Sequence, residues 1–309
     1  MSMSKNSSRL HEGPVIDQKN GFKVIDCRNC CFKHILPLPS TEDVEEIYRE
    51  EYYSKEKPLY LERYTEDLEW WNLVYSDCYD TYESLLQEGR RKLIDIGSGP
   101  GYFLLYGQQR AWEVLGIEPS KQASDFSRKM GVQVLDEFLT PDVVDRIGRF
   151  DVVHMKEVLE HVPDPHGMIE MSRDLLLPGG LLSVSVPNDY NPFQEALRKN
   201  EDYPPWWIAP PHHLNYFDLP SLEQLLRRYG FEIVFREGTF PMELFLLMGD
   251  NYIGDDPLGR KCHGKRKRLE QTLSDCGLNH LKRQVYQTLA EMGIGREIHV
   301  IGRKLEATS

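Results

Sequence analysis

The stretch from Lys92 to Gly101, KLIDIGSGPG, constrains the fold of this chain more than any other. Its apolar residues Leu93, Ile94 and Ile96 predict a strand that is buried on both faces of a parallel sheet. Three glycines then end the strand, and the apolar residues that follow from Tyr102 predict a helix. A strand, a glycine turn and a helix form a nucleotide-binding unit, because glycine adopts left-handed backbone angles and lets a ligand approach the main chain.

The spacing of the glycines separates two classes of cofactor. A dinucleotide fingerprint has glycine at its first, third and sixth positions, so that pyrophosphate binds at the helix N-terminus. Here Tyr102 stands at the sixth position, and Pro100 removes one amide donor. Both residues disfavour a nicotinamide-dependent oxidoreductase, which stays the alternative enzyme class.

Four blocks carry a resemblance to a known family. The pattern Asp-Ile-Gly-Ser-Gly-Pro-Gly over 95–101 resembles motif I of class I S-adenosylmethionine (SAM) dependent methyltransferases, whose turn encloses the methionine part of SAM. Glu118-Pro-Ser resembles the second motif, and Lys156-Glu-Val-Leu-Glu-His-Val resembles the motif after the fourth strand. The block from His213 to Phe231 is similar to the ubiquinone-methyltransferase-like branch (methyltransferase domain 23 type).

The alternation of predicted strands and helices indicates an α/β, doubly wound sheet. The resemblance, which covers about residues 21–304, implies a seven-stranded Rossmann-like methyltransferase sheet whose last strand is antiparallel. We expect a mobile tail over 1–20 and an N-terminal cap over 21–89. A SAM-binding core then spans 90–238, with a proline- and aromatic-rich lid insertion at 188–219, and a C-terminal helical extension with the last strand spans 239–309.

The resemblance implies SAM as the cofactor and a set of residues around it. Asp95 and Glu118 lie at the carboxyl ends of predicted strands, where a carboxylate such as Glu118 can accept both ribose hydroxyls. Glu118 could instead be only an acidic residue before a helix. The candidate cofactor-binding residues are Tyr64, Asp95, Gly97, Ser98, Gly99, Gly101, Tyr102, Phe103, Glu118, Pro119, Ser120, Asp136, Glu137, Phe138, Lys156, Glu157 and Val158.

Histidines supply the candidates for proton transfer. A hydroxyl or carbon acid needs a base that titrates near neutral pH before it can attack the methyl group, and histidine does so. His161 is the first candidate, with Glu160 orienting it or acting beside it, although a histidine is more often an ordinary core or surface residue. His213 is the second catalytic candidate, together with its neighbour His212, because their loop is expected to cover the same edge. Either could instead hold the lid by hydrogen bonds.

The N-terminal cysteines raise the alternative of a zinc site or a metal-free segment. The segment from Cys27 to Cys30 resembles a zinc ribbon that precedes many such methyltransferases, in which two Cys-x-x-Cys pairs supply four ligands. This chain has one pair, and His11 is the only nearby substitute. A metal-free remnant of the ribbon is therefore the favoured prediction.

Two further segments have an ordinary and a functional interpretation. A stripe of aromatic residues between Tyr64 and Tyr82 predicts a helix packed on the sheet, while Tyr52, Tyr53 or Tyr64 could line a pocket as part of a lid. The basic run over 260–268 predicts a solvated helix face or, less simply, a phosphate site for a nucleotide-linked sugar.

Charge and composition exclude some classes of binding partner and indicate a cellular location. The net charge of −12 argues against nucleic acid, and no apolar run approaches a membrane span. Six scattered cysteines and a start without a signal-peptide h-region predict the cytoplasm. We expect a methyltransferase that modifies an oxygen or carbon of a small molecule: a sugar, a nucleotide-sugar, or a polyketide- or quinone-like hydroxyl. A catalytically idle SAM-binding protein is the other alternative, and a homodimer is left open.

Overall fold

The computed structural model describes residues 11–46, 48–49, 60–201 and 203–305. Its strands are β1 (Val15–Lys19), β2 (Phe22–Asp26), β3 (Lys33–Leu36), β4 (Lys92–Ile96), β5 (Glu113–Ile117), β6 (Val134–Leu135), β7 (Phe150–Lys156), β8 (Leu176–Pro187), β9 (Asn215–Tyr216), β10 (Phe231–Gly238) and β11 (Glu297–Lys304). Its helices are α1 (Thr41–Glu46), α2 (Tyr60–Glu66), α3 (Leu68–Leu85), α4 (Tyr102–Gln109), α5 (Lys121–Lys129), α6 (Pro141–Ile147), α7 (Pro165–Asp174), α8 (Pro192–Asn200), α9 (Leu219–Arg228), α10 (Glu243–Leu247), α11 (Asp256–Asp275) and α12 (Asn279–Glu291). None of the helices in these residues is long and apolar enough to cross a membrane.

The main sheet has seven strands in the order β10-β11-β8-β7-β4-β5-β6. Strands β4 to β8 run parallel where they pair, whereas β11 is antiparallel to both of its neighbours. This order confirms the predicted doubly wound, seven-stranded sheet with an antiparallel last strand. The chain reverses direction across the sheet between β4 and β7, and open α/β sheets bind ligands beside such a switch point.

Strand β4 is buried on both faces, as its apolar sequence predicts. Leu93 packs into one hydrophobic cluster with Tyr79 of α3 and Leu104 of α4. Ile94 packs into another cluster on the opposite face, which includes Ile169 of α7. Successive side chains of a strand point to opposite faces, so the two clusters cover the two sides of the sheet. The aromatic stripe of α3 therefore has its ordinary role here: it packs on the sheet.

The N-terminal segment forms a second sheet with the order β1-β2-β3-β9. Residues 1–10 of the predicted tail lie outside the described residues, but residues 15–19 of that tail form strand β1. β1 pairs antiparallel with β2. Asn20 and Gly21 connect the two strands, and their φ angles of 51° and 82° are those of a tight hairpin turn. The expectation of a mobile tail is therefore wrong for residues 15–19, because the Asn-Gly pair that follows them forms a hairpin turn and β1 pairs with β2.

The C-terminal part is integral to the main sheet. Strand β11 lies between β10 and β8, and helices α11 and α12 precede it. In the basic run on α11, cationic side chains pair with carboxylates: Arg260 with Glu66, Lys265 with Asp250, Arg266 with Glu270 and Lys267 with Asp67. Three of these pairs join α11 to other segments, and the Arg266–Glu270 pair lies within the helix. The predicted domain boundaries stay a prediction.

Candidate functional site

A cavity of about 630 Å³ opens at the carboxyl ends of β4, β5 and β7. Its floor is the glycine turn after β4, and its other walls come from α1, α2, α3, the segment after β6, the loop after β7, and α11. Of the predicted site residues, those that line it are Tyr64, Asp95, Gly97, Ser98, Gly99, Tyr102, Phe103, Glu118, Pro119, Glu137, Phe138, Lys156, Glu157, Val158 and His161.

The glycine turn needs its glycines for two different reasons. Gly97, Gly99 and Gly101 have φ angles of 73°, 51° and 76°, in the left-handed region that favours glycine. A Cβ at Gly97 would lie 2.6 Å from Cγ2 of Val158, and one at Gly101 would lie 2.6 Å from Oγ of Ser127. Packing within the protein therefore demands glycine at these two positions. Gly99 lies between them on the cavity wall, and Gly101 does not line the cavity.

The buried carboxylate of Glu118 joins the glycine turn to the segment that follows β5 by hydrogen bonds. Its Oε2 accepts a hydrogen bond from the Gly99 amide at 2.8 Å, and its Oε1 accepts one from the Ser120 amide at 2.9 Å. A carboxylate has about four acceptor positions, so each oxygen can accept another donor from the cavity. Ser120 itself does not line the cavity and contributes through this backbone amide.

Glu118 also gives the protein a pH-dependent stability. Burial raises the pKa of Glu118 to about 7, against the opposing effect of its two amide hydrogen bonds. Between about pH 4.5 and 7 the folded state keeps a proton that the unfolded chain has released, so this contribution to the free energy of unfolding is lost as pH rises.

We expect Glu118→Gln to remove this dependence. In urea denaturation of the ligand-free protein, wild type should lose stability relative to Glu118→Gln as pH is raised from about 5 to about 8. Glu113→Gln, at an exposed position at the start of β5, is the matched control and should follow wild type. A constant difference between wild type and Glu118→Gln across this range would contradict the expected protonation.

A histidine that the sequence reasoning missed supports Asp95. His154 is the register partner of Asp95 on the neighbouring strand β7, and its Nδ1 lies 2.7 Å from Asp95 Oδ1. The pair is buried, and the ring of Phe103 packs 4.2 Å from the His154 ring between centroids. The contact fixes the direction of the Asp95 carboxylate at the cavity wall. The available signal was a histidine that directly follows the apolar pair Val152 and Val153 on a buried strand.

An aromatic stack forms the wall above the glycine turn. The Tyr64 ring lies nearly parallel to the rings of Trp71 and Tyr102, with centroid distances of 4.8 Å and 5.5 Å. Thr65 Oγ1 is also 3.0 Å from the Tyr102 hydroxyl. Helix α2 therefore contacts the helix that follows the turn, and Tyr64 lies in the cavity wall; its role in a lid stays a prediction. Tyr52 and Tyr53 lie outside the described residues.

His161 lines the cavity, and its ring has a defined orientation. Its Nδ1 lies 2.8 Å from the backbone oxygen of His212. Because a carbonyl oxygen only accepts hydrogen bonds, Nδ1 carries the hydrogen, and in the neutral ring Nε2 carries the lone pair. The ring of Tyr48 lies 5.3 Å away, and that of His213 lies 4.9 Å away in an edge-on arrangement.

Glu160 and His213 adjoin His161 but do not line the cavity. Oε1 of Glu160 lies 3.6 Å from His161 Nε2, and burial raises the pKa of Glu160 well above its ordinary value. Glu160, His161 and His213 each have a side-chain nitrogen or oxygen atom within 4.8 Å of those of the other two. The backbone oxygen of Glu160 accepts hydrogen bonds from the amides of Leu214 and Asn215. The loop after β7 and the 188–219 insertion are thereby held together.

The remaining predicted residues have different surroundings. Asp136 is half exposed and pairs with Arg128 at 2.9 Å, away from the cavity, whereas Glu137 and Phe138 beside it line the wall. Burial would lower the pKa of Lys156, but its ion pair with Glu297 and the charge of Glu157 raise it. Lys156 is therefore a paired cation at the cavity edge.

Helix α11, together with Trp70 of α3, forms a cavity wall that the sequence did not indicate. Trp70, His263 and Arg266 all line the cavity. Arg266 packs over the Trp70 ring at 4.9 Å from its centroid and bonds to Glu270 through Nε at 2.9 Å. The predicted phosphate site in the basic run would need an unpaired cation here, and Arg266 is paired.

The chain resembles known proteins across this region. Residues 70–235 match the family model described as a methyltransferase domain. The C-methyltransferase NovU of Streptomyces niveus is 27% identical over 146 residues, which are 46% of this chain and 33% of that protein. A ubiquinone biosynthesis O-methyltransferase of Cereibacter sphaeroides is 33% identical over 159 residues, 49% of this chain and 64% of the relative. The matches thus span a third to nearly two-thirds of these curated relatives.

A solved structure is also similar in outline. The crystal structure of a SAM-dependent methyltransferase from Archaeoglobus fulgidus aligns with a TM-score of 0.48 and 16% identity, covering 75% of this chain and 93% of that one. The assignment of the fold rests on the strand order described above.

Proposed function

The chain belongs to the methyltransferase domain family, and we propose that its cavity binds SAM and directs methyl transfer to a small, flat and largely apolar acceptor. The observation that carries this proposal is one continuous cavity lined by both Glu118 and His161. A cofactor wall and a candidate base therefore face the same space, which methyl transfer to a weakly acidic group requires.

The residues present fit SAM. Gly99 has no side chain and therefore presents its backbone at the cavity wall. The buried oxygens of Glu118 have acceptor capacity for the ribose hydroxyls, and Phe138 offers an aromatic surface on the same side for the adenine ring. Asp95, held by His154, is placed to accept a hydrogen bond near the turn.

The cavity walls favour an aromatic or polyketide- or quinone-like acceptor over a nucleotide-sugar. The aromatic side chains at its surface are Tyr48, Tyr64, Trp70, Trp71, Tyr75, Tyr102, Phe103 and Phe138. The cations Lys156 and Arg266 at this surface are paired with Glu297 and Glu270, so neither is available to neutralise a diphosphate. Flat rings gain stacking and apolar contact from such walls.

SAM, when bound, supplies a methyl group on a positively charged sulfur, which a nucleophile attacks in line. The protein's own residues have three tasks in this reaction. The aromatic walls orient the acceptor and exclude water, the glycine turn and Glu118 bind the cofactor, and Nε2 of His161 accepts the proton of the acceptor. Glu160 beside Nε2 would stabilise the imidazolium that forms, because a nearby positive charge favours the ionised carboxylate.

Isotope-labelled transfer tests this proposal. Purified protein is incubated with SAM carrying a labelled methyl group and with panels of phenols, quinols, polyketides and nucleotide-sugars. We expect labelled product in the aromatic panels, and the NMR chemical shift of the labelled methyl then distinguishes oxygen from carbon as the acceptor atom. Transfer only to nucleotide-sugars would contradict the proposed acceptor class.

A further inference from the structure

A second cluster of reactive side chains lies in the N-terminal sheet, outside the cavity. Potential ligand atoms of four residues all lie within 4.8 Å of one another: His11, Cys27, Cys30 and His34. We refer to these four residues as the His/Cys cluster. Cys27, Cys30 and His34 are buried. Sequence reasoning considered three of these residues and missed His34, which lies on strand β3.

Local backbone structure brings the four side chains together. The amide of Cys31 donates to the Cys27 carbonyl at 2.9 Å, and the positive φ of Cys31 closes the turn that holds Cys27 and Cys30. The residues after His11 run beside the same turn, because the Arg28 amide donates to the Glu12 carbonyl at 2.9 Å. Strand β3 then returns antiparallel to β2 and places His34 beside the two cysteines.

Two distances within the His/Cys cluster are close to those expected between ligands of a tetrahedral metal. His11 Nδ1 lies 3.1 Å from His34 Nε2 and 3.5 Å from Cys30 Sγ. Ligands at about 2.0–2.1 Å for nitrogen and about 2.3 Å for sulfur, at tetrahedral angles, are separated by about 3.3 Å and about 3.6 Å. These two separations are therefore close to the edge lengths of a tetrahedron of zinc ligands, and all four ligand atoms lie within 4.8 Å of one another.

His34 has the tautomer that metal binding requires. Its Nδ1 lies 2.9 Å from the backbone oxygen of Ile35, which only accepts, so the hydrogen is on Nδ1. Nε2 then carries a lone pair and faces the cluster. A second hydrogen bond of this kind typically orients histidine ligands of metals.

We propose that the His/Cys cluster binds one structural zinc ion. Two thiolates and two imidazoles form a common closed zinc site, and four protein ligands leave no position for substrate. The favoured expectation from sequence was a metal-free segment, since only one cysteine pair is present. His34 supplies a fourth ligand from a neighbouring strand, so a second cysteine pair is not needed to complete the site. This proposal does not depend on the proposed methyl transfer.

The zinc site would also support the candidate acceptor site through strand pairing. His34 is the register partner of Asn215 on β9, and the Ile35 amide donates to the Leu214 carbonyl at 2.9 Å. Asn215 in turn donates through Nδ2 to the carbonyls of Leu159 and Val162, on either side of His161. Metal removal should therefore loosen the loop that carries His161.

Metal analysis of the full-length, tag-free protein tests the proposal. We expect about one zinc ion per wild-type chain, and a loss of at least about tenfold in bound metal for Cys27→Ser and His34→Ala. Cys31→Ser is the matched control, because Cys31 adjoins the pair but lies outside the His/Cys cluster, and it should retain the metal. Equal loss in Cys31→Ser and Cys27→Ser would overturn the assignment.

A measurement on wild type avoids dependence on variants that fail to fold. After removal of metal with a chelator, addition of Co²⁺ should produce the visible and thiolate charge-transfer bands of tetrahedral cobalt. Hydrogen exchange at residues 33–36 and 214–216 should quicken on chelation, and that of β5 should not change. Wild type that contains no metal and gives no cobalt spectrum, or a disulfide between Cys27 and Cys30, would refute the zinc site.

Discussion

Replacement of His161 by alanine is expected to lower the rate of methyl transfer by about 10²–10⁴-fold, the usual contribution of a general base. SAM affinity should be unchanged, because the proposed cofactor contacts come from Glu118 and the glycine turn rather than from His161. The acid limb of the pH–rate profile should flatten, because the titrating base is removed. Steady-state kinetics with an acceptor from the labelled-transfer screen provide the measurement.

Two further variants separate proton transfer from loop support. His161→Asn keeps an N–H group in place of Nδ1, so it can still donate to the His212 carbonyl, but it lacks the basic nitrogen. It should be as inactive as His161→Ala. His280→Ala removes an exposed histidine from α12 and should behave as wild type. Full activity in His161→Asn would show that positioning alone carries the reaction.

The second large effect is expected at Gly99. Gly99→Val should weaken SAM binding by about a hundredfold or more, because a branched side chain at the cavity wall would occupy ligand space at a cost of about 3 kcal/mol. Its φ of 51° adds backbone strain. Calorimetric titration with SAM measures the loss of affinity.

Gly131→Val is the matched control for that strain. Gly131 has a φ of 85° and nothing within 4 Å of a Cβ, and it does not line the cavity. The control should therefore lose stability to a similar degree while keeping its SAM affinity. Equal loss of affinity in both variants would attribute the effect at Gly99 to strain rather than to ligand contact.

Sequence alone predicted the features that depend on neighbouring residues. The apolar run at Leu93–Ile96 and the glycines after it are local signals, and they led to the correct strand, turn and helix. The acidic residue Glu118 followed from its position at the end of the next strand. The strand order was then implied by the alternation of elements and by the family resemblance.

Contacts between distant segments could not be predicted in the same way. His154 meets Asp95 only because β7 pairs with β4, and Arg266 reaches the cavity only because α11 packs against α3. His34 approaches Cys30 through the register of β2 and β3. The sequence near each of these residues does not indicate its partner, because the partner lies on a segment that is distant along the chain.

The most direct test of the central claim is calorimetric titration of the wild-type protein with S-adenosylhomocysteine, SAM and NAD under the same conditions. The proposed function predicts saturable binding of both adenosyl ligands with dissociation constants of about micromolar order and no comparable heat with NAD. Tight binding of NAD together with no detectable binding of SAM or S-adenosylhomocysteine would contradict it.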